Sequence, residues 1–348
     1  MSDLLLAGPW QHRMVHAHGQ RLHIAQCEPS RGSASAPLVL FLHGSTGGWF
    51  EWCDVLTELA GGNSGAPNPD SAQDARDAHN PTPALDAHLV AVSLRGYPPS
   101  DRTPQGYSPT LAADDIASLI RALGHTEALL VGQGMGAWIA WTLQAQHPTL
   151  VRGIIATAAA HPATFLSELW RQPFSAESRE LIGTSLSTPG RTITRLPSPK
   201  RLGKKILQPA QAQQELIDDM VAHSLARCAP IDGVDFADTE RGKNLGELMH
   251  ASSSAGGITT AVEYANWWAK PGPQRIMKWL SKLSEAPLPE AILIAGSLDS
   301  TAPQRLLEAS IPAEGNSQIV IAPDVGHFPA LETPHTVADM VRQQLAQS

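Results

Sequence analysis

Cysteine is scarce in this 348-residue chain. Cys27, Cys53 and Cys228 stand far apart and are odd in number, which argues against a disulfide framework and for reduced thiols. Basic charge is also short. Lys and Arg total 25 against 33 Asp and Glu, a net charge of −8, so no cationic stripe offers a footprint for nucleic acid. The cluster KRLGKK at 200–205 reads as a solvated loop or helix start. No uncharged apolar run is long enough to span a membrane. No basic segment followed by an apolar core marks a secretory signal, and a cytoplasmic protein without membrane insertion is the expectation. The 14 histidines are scattered, with neither an H-E-x-x-H motif nor a cysteine cluster, so no metal and no cofactor is expected.

What is present is a globular composition, 42% hydrophobic and 17% charged, in a chain long enough to bury a large core. Strand and helix patterns alternate along it. MVHAH and LHIAQC flank a turn at Gly19, and PLVLFLHG, HLVAVSL, EALLVG and VRGIIATAA are apolar runs suited to strands covered on both faces. Residues 49–60, LAADDIASLIRAL and MGAWIAWTLQAQH carry helix patterns. Residues 61–83, rich in Gly, Pro, Asn, Asp and Ala, read as a surface excursion. From about 160 to 285 the pattern is mainly helix and loop, broken by LSTPGRTITRLPSP and KPGP. AILIAG and QIVIAP then restore strands, and 331–346 reads as a closing helix.

The expected organisation is a core in two parts, 1–159 and 286–348, with a helical cap or lid over 160–285. Sequence adjacency and right-handed crossovers make the sheet mostly parallel. The insertion precedes the last two strands and would cover the ligand crevice at their carboxyl edge.

Residues 129–140, LLVGQGMGAWIA, form a strand, a glycine-rich turn and a helix. That is the context of a G-x-S-x-G nucleophile elbow, with Gly134 where Ser would stand. Gly134 has no side chain, so it can neither attack nor form a covalent intermediate. Its neighbour Gln133 is no nucleophile. GQGMGA also fits a dinucleotide fingerprint, but it comes after about 130 residues, and no acid follows roughly 20 residues later.

Three further loops bear on chemistry. FLHGSTGGWFEW at 41–52 can turn a backbone N–H toward developing negative charge, with Ser45 the expected donor and Thr46 a nearby alternative. The second expected donor is Met135, at the start of the elbow helix. SLRGYPPSD at 93–101 reads as scaffold in which Asp101 can orient Arg95. Asp299 leaves a strand in IAGSLDSTAP, and His327 lies in APDVGHFPALETP. A carboxylate accepting from imidazole Nδ1 fixes the tautomer and raises basicity. The order elbow, acid, histidine is the one this architecture requires.

Together these loops resemble the α/β-hydrolase superfamily, especially its epoxide-hydrolase-like and haloalkane-dehalogenase-like branch, over nearly the full length. The shared features are His43-Gly44 with Trp49 and Trp52, Arg95-Gly96 with Ser100, the elbow, the G-x-x-D loop and the G-H-F loop. The resemblance implies an α/β-hydrolase fold with a mostly parallel eight-stranded sheet, Asp299 as triad acid, His327 as base and Gly134 at the nucleophile position. ITTAVEYANWWAK at 258–270 resembles the lid helix that supplies an epoxide-holding tyrosine, and Tyr264 matches that tyrosine. Trp49, Tyr264, Trp267 and Trp268 are the expected walls of an apolar pocket, although the last three also have the spacing of an ordinary packing stripe.

Three functional readings stand at this point. One is a noncovalent hydrolase in which His327 activates water against a small apolar ester-like or epoxide-like molecule. Another is a nonenzymatic ligand-binding pseudoenzyme. The third is an epoxide or ester hydrolase whose nucleophile has been replaced by Gly. A small apolar molecule is the expected partner, and the chain is expected to be a monomer or homodimer.

Overall fold

Eight strands form one sheet: β1 (Gln11–Ala17), β2 (Gln20–Cys27), β3 (Leu38–Leu42), β4 (His88–Val92), β5 (Ala128–Gln133), β6 (Val151–Thr157), β7 (Ala291–Gly296) and β8 (Gln318–Ala322). The computed structural model describes residues 2–29, 36–62, 83–104, 106–171, 209–269, 273–311 and 317–347. The expectations for KRLGKK, for LSTPGRTITRLPSP and for nearly all of the 61–83 excursion lie outside the described residues.

The strand order is β1-β2-β4-β3-β5-β6-β7-β8. β1 and β2 form a hairpin, and β2 pairs antiparallel with β4. Every pairing from β4 to β8 is parallel. The hairpin turns on His18 and Gly19 at φ 47° and 79°, the left-handed pair that matches the twist of adjoining strands.

Side-chain alternation explains why the strands read as unbroken apolar runs. Leu38, Leu40 and Leu42 of β3 enter one core, while Val39 and Phe41 enter the core on the opposite face. Each fully buried Leu, Val or Phe contributes about 1.5–3 kcal/mol.

The helices of the described residues are α1 (Cys53–Leu59), α2 (Pro109–Ala122), α3 (Met135–Gln146), α4 (Pro162–Arg171), α5 (Pro209–Leu225), α6 (Glu240–Ser252), α7 (Ile258–Ala269), α8 (Pro273–Glu285), α9 (Gln304–Glu308), α10 (Pro329–Glu332) and α11 (Pro334–Ala346). α2 and α3 cover the face holding Leu40, whereas α1 and α11 cover the face holding Phe41. α2 starts where the sequence signals it: Ser108 Oγ accepts from the Leu111 N–H at 3.2 Å, and Pro109 takes the first helical position. The single closing helix expected at 331–346 is instead α10 and α11, because Pro334 has no N–H to continue the first. α4 to α8 all lie between β6 and β7, so the helical insertion precedes the last two strands. Among the described residues, no helix is long and apolar enough to cross a membrane.

Two expected side-chain roles are corrected. Asp101 does not orient Arg95; it binds the Arg21 side chain at 2.9 and 3.1 Å. Arg95 makes a bidentate pair with Asp115 of α2, both contacts 2.6 Å, and His18 and Gln20 also bond that carboxylate. Trp49 is fully buried rather than at a ligand wall. Its indole N–H donates to Leu4 O at 2.9 Å, and its ring packs edge-on against Trp10 and His12. The N-terminal segment covers it.

Candidate active site

The elbow is built by close approach of α3 to the sheet. A Cβ on Gly136 would lie 2.1 Å from the Leu42 carbonyl oxygen, and one on Gly132 would lie 2.4 Å from the Ala137 nitrogen. Only glycine permits that contact. Gly134 sits at the bend with φ 51° and ψ −108°, a sparsely populated conformation of the kind stored at functional turns. Its surroundings differ from those of the other two glycines, because a Cβ there would meet no atom of the described residues within 4 Å beyond its chain neighbours.

Accessibility follows the same pattern. Ser45 is partly exposed between buried Gly44 and Thr46, and Gly134 and Met135 are partly exposed between buried Gln133 and Gly136. Met135 begins α3, whose first N–H groups have no intrahelical acceptor.

The Ser45 loop is held by buried groups, of which sequence reasoning named His43 and missed Glu51 and Tyr97. Glu51 Oε2 accepts from the Gly44 N–H at 3.0 Å, and Tyr97 Oη donates to Ser45 O at 2.8 Å. His43 Nε2 accepts from the Leu94 N–H at 3.1 Å, so its proton resides on Nδ1, 2.7 Å from Gly44 O. Burial lowers the His43 pKa to about 4 against the bond to Gly44, which keeps the ring neutral. Burial raises Glu51 to about 7 despite the Gly44 N–H.

Asp299 and His327 meet as the sequence order required. Asp299 Oδ2 lies 2.8 Å from His327 Nδ1, leaving the Nε2 lone pair on the far side of the ring. Thr301 completes the pair: its N–H and hydroxyl reach Asp299 Oδ1 at 2.9 and 2.6 Å, and its Oγ1 lies 3.0 Å from His327 Nδ1. This is an Asx-type turn, legible in hindsight in the Asp-x-Thr spacing. Burial would raise the Asp299 carboxyl, but the His327 charge and the bonds from His327 and Thr301 outweigh it and hold the pKa below its usual value. Burial also lowers His327, opposed by Asp299 and reinforced by Arg227. The imidazole is therefore neutral and able to accept a proton at neutral pH.

The loop carrying His327 is tied to both the elbow and the cap. Gln133 Nε2 donates to His327 O at 2.7 Å, while Gln133 Oε1 accepts from Thr157 at 2.6 Å. His327 N–H donates to Arg227 O at 2.9 Å. Glu332 accepts three backbone N–H groups, from Ala229, Gly326 and Phe328, at 2.7–2.8 Å.

The expected cap residues are placed differently from one another. Tyr97, Tyr107 and Tyr264 are all the tyrosines of the chain, and they form one cluster with ring centroids 6.2 and 5.6 Å from Tyr264. Tyr264 Oη is buried there, with no hydrogen-bond partner among the described residues. Trp267 is buried edge-on against Trp279, which joins the cap to α3 through Thr142. The Trp268 side chain lies outside the described residues.

A nucleophile-elbow turn, an acid–histidine pair after β7 and β8, and a cap between β6 and β7 together define a hydrolase architecture. The model of the alpha/beta hydrolase family matches residues 39–340, and the chain belongs to that family. Epoxide hydrolase 3 of Mus musculus is 32% identical over 156 residues, covering 44% of this chain and 35% of that protein. Epoxide hydrolase B of Mycobacterium tuberculosis is 25% identical over 183 residues, covering 52% of this chain and 44% of that protein. The chain thus spans less than half the length of these curated relatives. Among solved structures, an epoxide hydrolase, CorEH, superposes with a TM-score of 0.65 at 16% identity, over 97% of this chain and 99% of that one. A thermophilic esterase from Thermogutta terrifontis gives 0.59 at 17% identity, over 97% and 98%. At those identities, the likeness extends to the fold alone.

Proposed function

We propose that this protein binds a small apolar ester-like or epoxide-like molecule above Gly134 and hydrolyses it, without a covalent intermediate, by water activated at His327. The observation that carries this reading is the Asp299–His327 contact of 2.8 Å, in a loop bonded by Gln133 to an elbow whose central residue has no side chain. His327 Nε2 removes a proton from water as the hydroxide oxygen bonds to the substrate carbonyl carbon. The carbonyl pair moves onto oxygen, where the Ser45 and Met135 N–H groups stabilise the charge. Collapse breaks the ester C–O bond, and the imidazolium returns its proton to the leaving alkoxide while Asp299 stabilises the cation.

An ester-like substrate suits this chain better than an epoxide. Opening an epoxide requires a donor at the ring oxygen, and Tyr264 Oη is sealed inside the tyrosine cluster. His327→Ala is expected to lower kcat on p-nitrophenyl acetate by about 10²–10⁴-fold while leaving substrate binding in place. Turnover unchanged by that substitution refutes the mechanism. The bare Gly134 favours a second reading, a nonenzymatic binder. Saturable ligand binding by the unaltered protein, with no turnover of esters, epoxides or haloalkanes, would establish it.

A further inference from the structure

A cavity of about 260 Å³ opens between the cap segment 226–230 and the loop 298–301, on the Nδ1 side of His327 and away from the elbow. Arg227 lines it. Among the described residues its guanidinium has one protein contact, Nη2 donating to Thr301 Oγ1 at 3.2 Å, and no carboxylate within ion-pair distance. The nearby carboxylates are already engaged. Asp299 gives both oxygens to Thr301 and His327, and Glu332 gives both to backbone N–H groups. A largely desolvated guanidinium with no carboxylate in direct contact is costly. Burial lowers Arg227 only to about 10, with Asp299 opposing, so it stays charged. The remaining walls include Ser300 and the apolar residues Ala226, Pro230 and Leu298, and Leu298 is 57% exposed.

We propose that this cavity binds a small aliphatic monocarboxylate, with its carboxylate on the Arg227 fork and its chain along Leu298 and Pro230. A guanidinium presents paired N–H groups that match a carboxylate, and the apolar side favours an alkyl chain over a bare anion. Binding here requires no turnover and stands apart from the hydrolytic reading.

The test is isothermal titration of the intact protein with sodium butyrate, butyramide and inorganic phosphate. Butyrate is expected to bind saturably, phosphate more weakly and butyramide not at all. Arg227→Met should weaken butyrate binding by at least about tenfold. Leu298→Glu places like charge at an exposed position that the fold does not need, and should weaken it several-fold even if Arg227→Met does not fold. Absence of saturable butyrate binding, equal binding of butyramide, tighter binding of phosphate, or butyrate affinity unchanged by Leu298→Glu each overturns the assignment.

Discussion

Replacing Gly134 by alanine tests whether the elbow holds real space or only a gap that the backbone would close. Among the described residues, a Cβ at this position meets nothing within 4 Å beyond its chain neighbours, so its cost is conformational. Holding a side-chain-bearing residue at φ 51° and ψ −108° costs about 1–3 kcal/mol, which lowers Tm by about 1–4 °C in a chain of this length. Gly136→Ala, two residues further on in α3, is the internal control. Its Cβ would lie 2.1 Å from the Leu42 carbonyl oxygen and 2.8 Å from that of His43. α3 would have to leave the sheet, a loss above about 4 kcal/mol. Thermal melts followed by circular dichroism separate the two. Equal destabilisation by Gly134→Ala and Gly136→Ala refutes the open space over the elbow. Gly134→Ser then adds a hydroxyl to the same place. If His327 serves that space, p-nitrophenyl acetate should give a burst of p-nitrophenol from an acyl-enzyme. A folded Gly134→Ser protein with no burst and no gain in turnover refutes the placement of the imidazole.

Two other perturbations follow from buried charge. Glu51 titrates at about 7 in the fold against 4.5 when free. The stability it contributes is therefore fully present below about pH 4.5 and lost as pH rises through 7, by about 3 kcal/mol. Glu51→Gln keeps an acceptor for the Gly44 N–H and should flatten this part of the profile in urea unfolding at pH 5 and 8; an unchanged difference between the two pH values refutes it. Asp115→Asn strands the Arg95 guanidinium, whose side chain is 6% exposed, and should cost about 3–5 kcal/mol in urea unfolding. A loss under about 1 kcal/mol would show that Arg95 finds another partner.

The sheet was legible in the sequence because burial on both faces leaves runs such as PLVLFLHG with no polar alternation. The glycines of the elbow were legible because a tight strand-to-helix approach admits nothing larger. Asp299 and His327 could be paired because each follows a strand near the end of the chain. What the sequence hid was mostly contact across long separations. Arg95 has Asp101 close in sequence, yet α2 brings Asp115 to it, and Asp101 is taken by Arg21 of the hairpin. Trp49 follows the His43-Gly44 loop as a pocket residue would, but the indole turns beneath the N-terminal segment. Arg227 carries no local signal because Thr301 and His327 meet it across the cap boundary, and Glu332 likewise reaches Ala229 across it while holding Gly326 and Phe328 of its own loop.

The bonds that join the cap to the histidine loop have a consequence for which molecules can enter. Arg227 O receives the His327 N–H, Ala229 donates to Glu332, and Glu332 also grips the residues on either side of His327. This stretch of the insertion and the imidazole loop therefore move as one piece. Under the proposed hydrolytic reading, a guest bulky enough to pry residues 227–229 away from the sheet would pull His327 off Asp299 as it entered. On that reading, discrimination by size would reside in how the cap is fastened to the histidine loop.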